Sequence, residues 1–106
     1  MSADPFVREA REDVTRLSDG LVTLETEGAE RETVDELFRR AHSLKSSFGM
    51  EGYDGASDLA HAVEDLLDAV RAGEVDPEGE VIDRGLDAVD ALDDVLTDVE
   101  RTGDPA

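Results

Sequence analysis

The sequence predicts an all-α fold, an antiparallel up-down four-helix bundle. Two observations carry that prediction. Four segments repeat apolar residues every three or four positions, the spacing of one helix face, and none shows the period of two that a strand requires. The breaks between them are short and carry Gly or Pro, so each helix reverses onto the one before it. At 106 residues the chain suits a single domain over residues 1–106. A chain of this size buries roughly two-thirds of its unfolded surface.

The first helix is expected over about residues 4–26. Its stripe is Phe6, Val7, Ala10, Val14, Leu17, Leu21 and Leu24. Asp4 is placed to cap it, and Pro5 fits the first turn. Gly20 weakens the middle, yet the stripe continues across it. The second helix is expected over about 31–48, with Val34, Leu37, Phe38, Ala41, Leu44 and Phe48. Gly49, Gly52 and Gly55, with Asp54, mark the next connection. The third is expected over about 56–72, with Leu59, Ala60, Val63, Leu66, Leu67 and Val70, and Gly73 as its stop. Asp76–Pro77–Glu78 reads as a restart, with Asp76 as cap and Pro77 in the first turn. The fourth helix, over about 77–101, carries Val81, Ile82, Leu86, Val89, Leu92, Leu96 and Val99. Residues 103–106 read as a tail. With 4% aromatics and no Trp, the core is expected from Leu, Val and Ala.

Charge sets the next bounds. Asp and Glu number 29 against 10 Lys and Arg, a formal net charge of -19. Such a chain is repelled by nucleic acid and by anionic membranes, so neither is expected as a partner. No apolar run approaches the roughly 20 residues of a membrane span, and residues 1–11 lack a signal-type apolar core. A cytoplasmic domain is expected. The charge, with a bundle that closes on itself, predicts a monomer. The absence of Cys excludes disulfides, thiolate metal sites and Cys nucleophiles.

High charge with few aromatics is also the composition of disordered chains. Here 39% of residues are apolar and their spacing is regular, which points to a folded chain. Nine of the ten basic residues are Arg, and Lys45 is the single Lys. Acid excess with Lys scarcity resembles the bias of salt-adapted proteomes, so a halophilic source is predicted. In molar salt the Debye length falls to about 3 Å, which screens most of the self-repulsion. The melting temperature should therefore rise from low salt to molar KCl. A flat melting temperature across that range would reject the salt adaptation.

The side chains suited to proton transfer or nucleophilic chemistry near neutral pH are His42 and His61. No G-x-x-x-x-G-K-[ST], G-x-G-x-x-G or G-x-S-x-G motif is present, so no cofactor or ATP site of a familiar type is expected in this chain. On its helix His42 shares a strip with Phe38, Lys45, Ser46 and Gly49, beside the core stripe. Small residues there leave the imidazole open to another protein. The lone lysine, one turn away, is placed to pair with an anion on the ring.

On the third helix His61 and Glu64 share a face with Asp65 and Asp68. Sequential antiparallel helices bring that face level with His42, because both lie a similar distance from the intervening turn. Glu64 is then placed to accept a hydrogen bond from one nitrogen of His42, fixing the tautomer and making the other nitrogen a better nucleophile. Position alone does not establish this: a lone His at a stripe boundary is most often a surface residue, and most of 29 acids are merely solvated.

The run His42–Ser43–Leu44–Lys45–Ser46–Ser47–Phe48–Gly49–Met50–Glu51–Gly52–Tyr53 resembles the histidine phosphotransfer motif, and within it the amino-terminal domain of CheA-type chemotaxis kinases. The matching residues are Leu44, Lys45, Gly49, Gly52 and Tyr53, led in by Leu37–Phe38–Arg39–Arg40–Ala41. His61 and Glu64, 19 and 22 positions after His42, match a second His and a Glu of that branch. The likeness covers roughly residues 4–100, with its specific part from Leu37 to Gly73. Ser46 and Ser47 depart from it, since the family usually has Gly there. They are expected to permit docking but to slow transfer or alter the partner footprint.

The resemblance implies a mechanism. A separate ATP-binding kinase domain, with its own Mg, phosphorylates His42 at Nε2, with Nδ1 held by Glu64. Lys45 offsets charge at the phosphoryl group, and His61 supports the network. The group then passes to an Asp of a response regulator of CheY or CheB type. Phe38, Ser46 and Gly49 shape partner access. The chain would be a phosphocarrier, with no metal of its own and no independent catalysis, and would be a fragment of a larger kinase. Two other readings stand beside it. His42, His61 and Glu64 form a possible three-ligand metal site, although the Glu-x-x-His of di-iron bundles is missing, with Arg39 and Asp58 in those places. A helical docking module without chemistry is the other.

Overall fold

The computed structural model describes residues 5–103. They form α1 (Pro5–Glu27), α2 (Arg31–Met50), α3 (Asp54–Arg71) and α4 (Glu80–Thr102). Each helix packs on its neighbours in a closed ring, α1 on α2, α2 on α3, α3 on α4 and α4 on α1. Cross-helix contacts run in opposite directions along both pairs that α1 makes. Arg40 meets Asp13 while Arg16 meets Glu36, and Arg11 reaches Glu100 while Glu25 reaches Gly79. The bundle is thus antiparallel and up-down, as the short breaks require. Its long dimension, 41 Å, fits helices of about 1.5 Å rise per residue laid side by side.

The core follows the sequence stripes. Leu17, Leu21, Leu24, Leu37, Leu44, Phe48, Leu67, Ile82, Leu92 and Leu96 are fully buried. The outer members of the stripes, among them Phe6, Phe38, Leu59, Leu66, Val81 and Leu86, are half-buried at its edge. Three burials fall outside the expectation, Ala56, Gly85 and the charged Glu64.

Gly20 has a packing reason. A Cβ there would sit 2.3 Å from Leu37 Cδ2 and 2.9 Å from its Cγ, so the Leu37 side chain fills the space that a side chain at position 20 would need. Gly20→Ala gains up to about 1 kcal/mol of helix propensity but overpacks a buried Leu, which costs about 1–3 kcal/mol. A net loss of roughly 1 kcal/mol is expected in a urea titration. A more stable variant would show that Leu37 repacks freely.

Four boundaries differ from the expectation. Gly49 and Met50 belong to α2, which ends two residues later than expected. Tyr53 N–H donates to the Phe48 carbonyl and Gly52 N–H to the Gly49 carbonyl. Gly52, at φ 84°, is the residue that lets the chain make that turn. The Tyr53 ring folds back on Phe48, with centroids 6.5 Å apart, which seals the end of the helix. On the far side, α3 starts at Asp54 and includes Gly55.

The largest correction is at α4. Asp76 is not its cap and Pro77 is not in its first turn; the helix begins at Glu80. Gly79 adopts φ 58°, and its N–H is taken by the Glu25 carboxylate at the end of α1, 3.0 Å away. The non-helical Gly79 backbone, held by this contact, separates Asp76 and Pro77 from the helix. At the other end Gly103 is not tail but the left-handed cap of α4. The Asp4 cap and tail residues 104–106 lie outside the described residues.

Candidate functional site

α2 and α3 form the seam that carries the site. Along α3 the positions Ser57, His61, Glu64, Asp68 and Arg71 fall at spacings of three and four, on one face. That face turns toward the strip of α2 that holds Phe38, His42 and Lys45.

Glu64 is its centre. It is the buried charged residue among the described ones, and its side chain is only 8% exposed. Both carboxylate oxygens are engaged across the seam. Oε2 lies 2.6 Å from His42 Nδ1, and Oε1 accepts from Lys45 Nζ at 2.7 Å. Burial opposes ionisation of this carboxyl, but the hydrogen bonds and charges of Lys45 and His42 outweigh it and hold the group below its ordinary value. An ionised carboxylate only accepts, so Nδ1 carries the proton in this contact. The neutral ring then has its lone pair on Nε2. The His42 side chain is 58% exposed, so that ring is open to a partner.

The sign of the Glu64 effect can be tested. Its folded-state pKa lies below the unfolded one, so the carboxylate adds stability above the unfolded value. That stability is lost as pH falls through the folded pKa. The gap in urea midpoint between wild type and Glu64→Gln should be open at about pH 6 and narrow steadily as pH falls through and below the ordinary carboxylate range. A gap independent of pH would show that ionisation contributes nothing.

The remaining expected residues are distributed as follows. The sequence reading set Lys45 beside an incoming phosphoryl group; the structure places its ammonium on Glu64. His61 is not hydrogen-bonded to Glu64. Its Nε2 is 4.0 Å from Glu64 Oε1 and 3.4 Å from Asp65 Oδ1 on its own helix. Ser46 and Gly49 are exposed on the same side of α2 as His42. Phe38 is half-buried, and the Arg71 guanidinium lies over its ring at 4.4 Å, so it is covered rather than open. Asp68 and Asp35 hold that guanidinium in place.

Two residues escaped the sequence reading. Ser57 Oγ donates to the Lys45 backbone carbonyl at 2.9 Å, tying α3 to α2 beneath the lysine. A Cβ on Gly49 would meet that hydroxyl at 3.6 Å, ordinary contact. Arg71 is the other. The register of His61 and Glu64 along α3 already pointed to both, one or two turns away.

Comparison with known proteins gives the lineage. The family model described as "Hpt domain" matches residues 3–102. The chain belongs to the Hpt domain family. Hpt relatives of known name include the chemotaxis protein CheA of Halobacterium salinarum, 45% identical over 95% of this chain and 15% of that protein. CheA of Treponema pallidum is 36% identical over 86% of this chain and 11% of the relative. CheA of Borreliella burgdorferi is 35% identical over 86% and 10%. This Hpt chain thus spans about a seventh or less of the length of these relatives. The resemblance drawn from the His42 run agrees with these matches, and the halophilic source expected from composition agrees with the Halobacterium relative. No helix among the described residues is long and apolar enough to cross a membrane.

Proposed function

We propose that this Hpt domain is a phosphocarrier of a chemotaxis two-component system, with His42 as the carrier residue. One observation supports this above the others: a half-exposed imidazole whose Nδ1 is held by a buried, ionised carboxylate. The lone pair on Nε2 attacks the γ-phosphorus of ATP bound to a separate kinase domain. The N–P bond forms as the bond to the bridging oxygen breaks, and ADP leaves. The ring becomes positive as it is phosphorylated, and Glu64 offsets that charge through the proton it holds at Nδ1. In the second step an Asp carboxylate of a response regulator attacks the phosphorus, and the ring departs as neutral imidazole.

Glu64 and Lys45 are positioning residues in this scheme. Lys45 neutralises Glu64 and locks its rotamer, and stands one turn from the phosphoryl group. ATP and Mg belong to the partner domains. The kinase domain, in the same or a related protein, and regulators of CheY or CheB type are the partners, in the cytoplasm. The domain acts as a monomer and is a substrate rather than an enzyme on its own.

The test is incubation with a candidate kinase core or with phosphoramidate in high salt, followed by intact mass and site mapping. One acid-labile phosphoryl group on His42, removable by a regulator, is the expected result. No uptake with a validated donor would refute the reading.

A further inference from the structure

Glu64 also faces a second set of donors, on its own helix. His61, Glu64 and Asp65 each offer one ligand atom, and these atoms lie within 4.8 Å of one another. The positions are i, i+3 and i+4, so a single helix brings all three to one side. His61 Nε2 and Asp65 Oδ1 are 3.4 Å apart. Two ligands at about 2.1 Å from one tetrahedral ion are separated by about 3.4 Å, so this pair already has chelating geometry. Glu64 Oε1, at 4.0 Å from the same nitrogen, needs only a small side-chain adjustment to join it. His61 and Asp65 are 55% and 71% exposed, which admits an ion from solvent, while Glu64 closes the buried side.

We propose that this face of α3 binds a divalent transition-metal ion, of the Zn²⁺ or Co²⁺ class, through one imidazole nitrogen and two carboxylate oxygens. Water completes the shell. An imidazole ligand favours such ions over Mg²⁺ and Ca²⁺, which take oxygen donors. The ligand set differs from the one the sequence offered, because Asp65 replaces His42, whose Nδ1 is committed to Glu64 across the seam.

The site shares an atom with the carrier site. Glu64 Oε1 is the oxygen that accepts from Lys45, and an ion there competes with the ammonium for it. Metal loading therefore releases Lys45 and loosens the carboxylate that orients His42. Only this consequence rests on the phosphocarrier reading: the loaded domain accepts a phosphoryl group more slowly.

Calorimetric titration of the chain with Zn²⁺, in molar salt with excess Mg²⁺ to occupy generic acidic sites, tests the binding without any phosphoryl donor. One ion per chain is expected, with affinity reduced about tenfold or more in His61→Ala and retained in His42→Gln. Both changes are at exposed rings, so the bundle should fold. No saturable uptake would overturn the proposal. So would equal binding by His61→Ala, which would mean general attraction to an acidic surface. Loss of binding in His42→Gln would overturn it in favour of a site running through His42. If binding holds and phosphoramidate uptake is unchanged by Zn²⁺, the coupling is wrong and the site alone stands.

Discussion

A chain carrying His42→Gln should take up no acid-labile phosphoryl group, from kinase core or small donor, while keeping its fold. The loss should be complete, because no other imidazole in the chain has a ring nitrogen held by a buried carboxylate. His61 is exposed and 4.0 Å from Glu64, so it lacks the fixed tautomer that readies His42. Gln retains an N–H donor that can approach Glu64, and the replaced ring is mostly in solvent. The stability cost should therefore stay under about 1 kcal/mol. Regulator binding should survive, since the surrounding surface is intact. Equal phosphorylation of variant and wild type would remove His42 as the acceptor.

Glu64→Ala should have the second largest effect. Removing the carboxylate frees the His42 ring to rotate and to exchange tautomers, and leaves the charge on the phosphorylated ring without its partner. Misplacement of a reacting group by about 1 Å can cost about 10²-fold, and a fall of that order in the rate of phosphoryl uptake is expected. Lys45 and His42 both reach solvent, so their lost bonds cost the fold only about 1–2 kcal/mol. Glu64→Gln should fall between, because its one amide oxygen can serve either donor but not both. Quenched-flow rates with a saturating donor separate the two variants. A wild-type rate in Glu64→Ala would mean that the 2.6 Å contact orients nothing that matters to the reaction.

The salt-adapted composition changes how these experiments should be run. Low salt restores the self-repulsion of a chain with net charge -19, so failure of a variant there does not separate unfolding from loss of chemistry. Wild type and variants belong in the same molar salt, with helix content checked alongside.

The helical stripes placed Leu17, Leu21, Leu44, Phe48, Leu67 and Leu92 in the core correctly, because burial of one face is a property of helical periodicity and needs no knowledge of the partner helix. The same periodicity put His42 on a strip outside that core, and the matched distances to the α2–α3 turn put Glu64 opposite it. Antiparallel helices joined by a tight turn leave little freedom in that register, so the sequence offered this pairing, while the choice of Glu64 among 29 acids came from the contact itself.

What only the tertiary structure decided involves contacts between residues that no local rule relates. α4 starts at Glu80 rather than Pro77, after a non-helical Gly79 whose N–H is held by Glu25, more than fifty residues earlier. Lys45 turned inward to Glu64, since a buried carboxylate gives an ammonium a stronger partner than solvent does. Phe38 was covered by Arg71 from the neighbouring helix, and Ser57 tied α3 to the backbone of Lys45. Gly20, read as a weak point, is where Leu37 enters α1. Periodicity fixes which face of a helix is buried. Side-chain partners across a seam depend on the rotation and offset of two helices together, and those are set by packing.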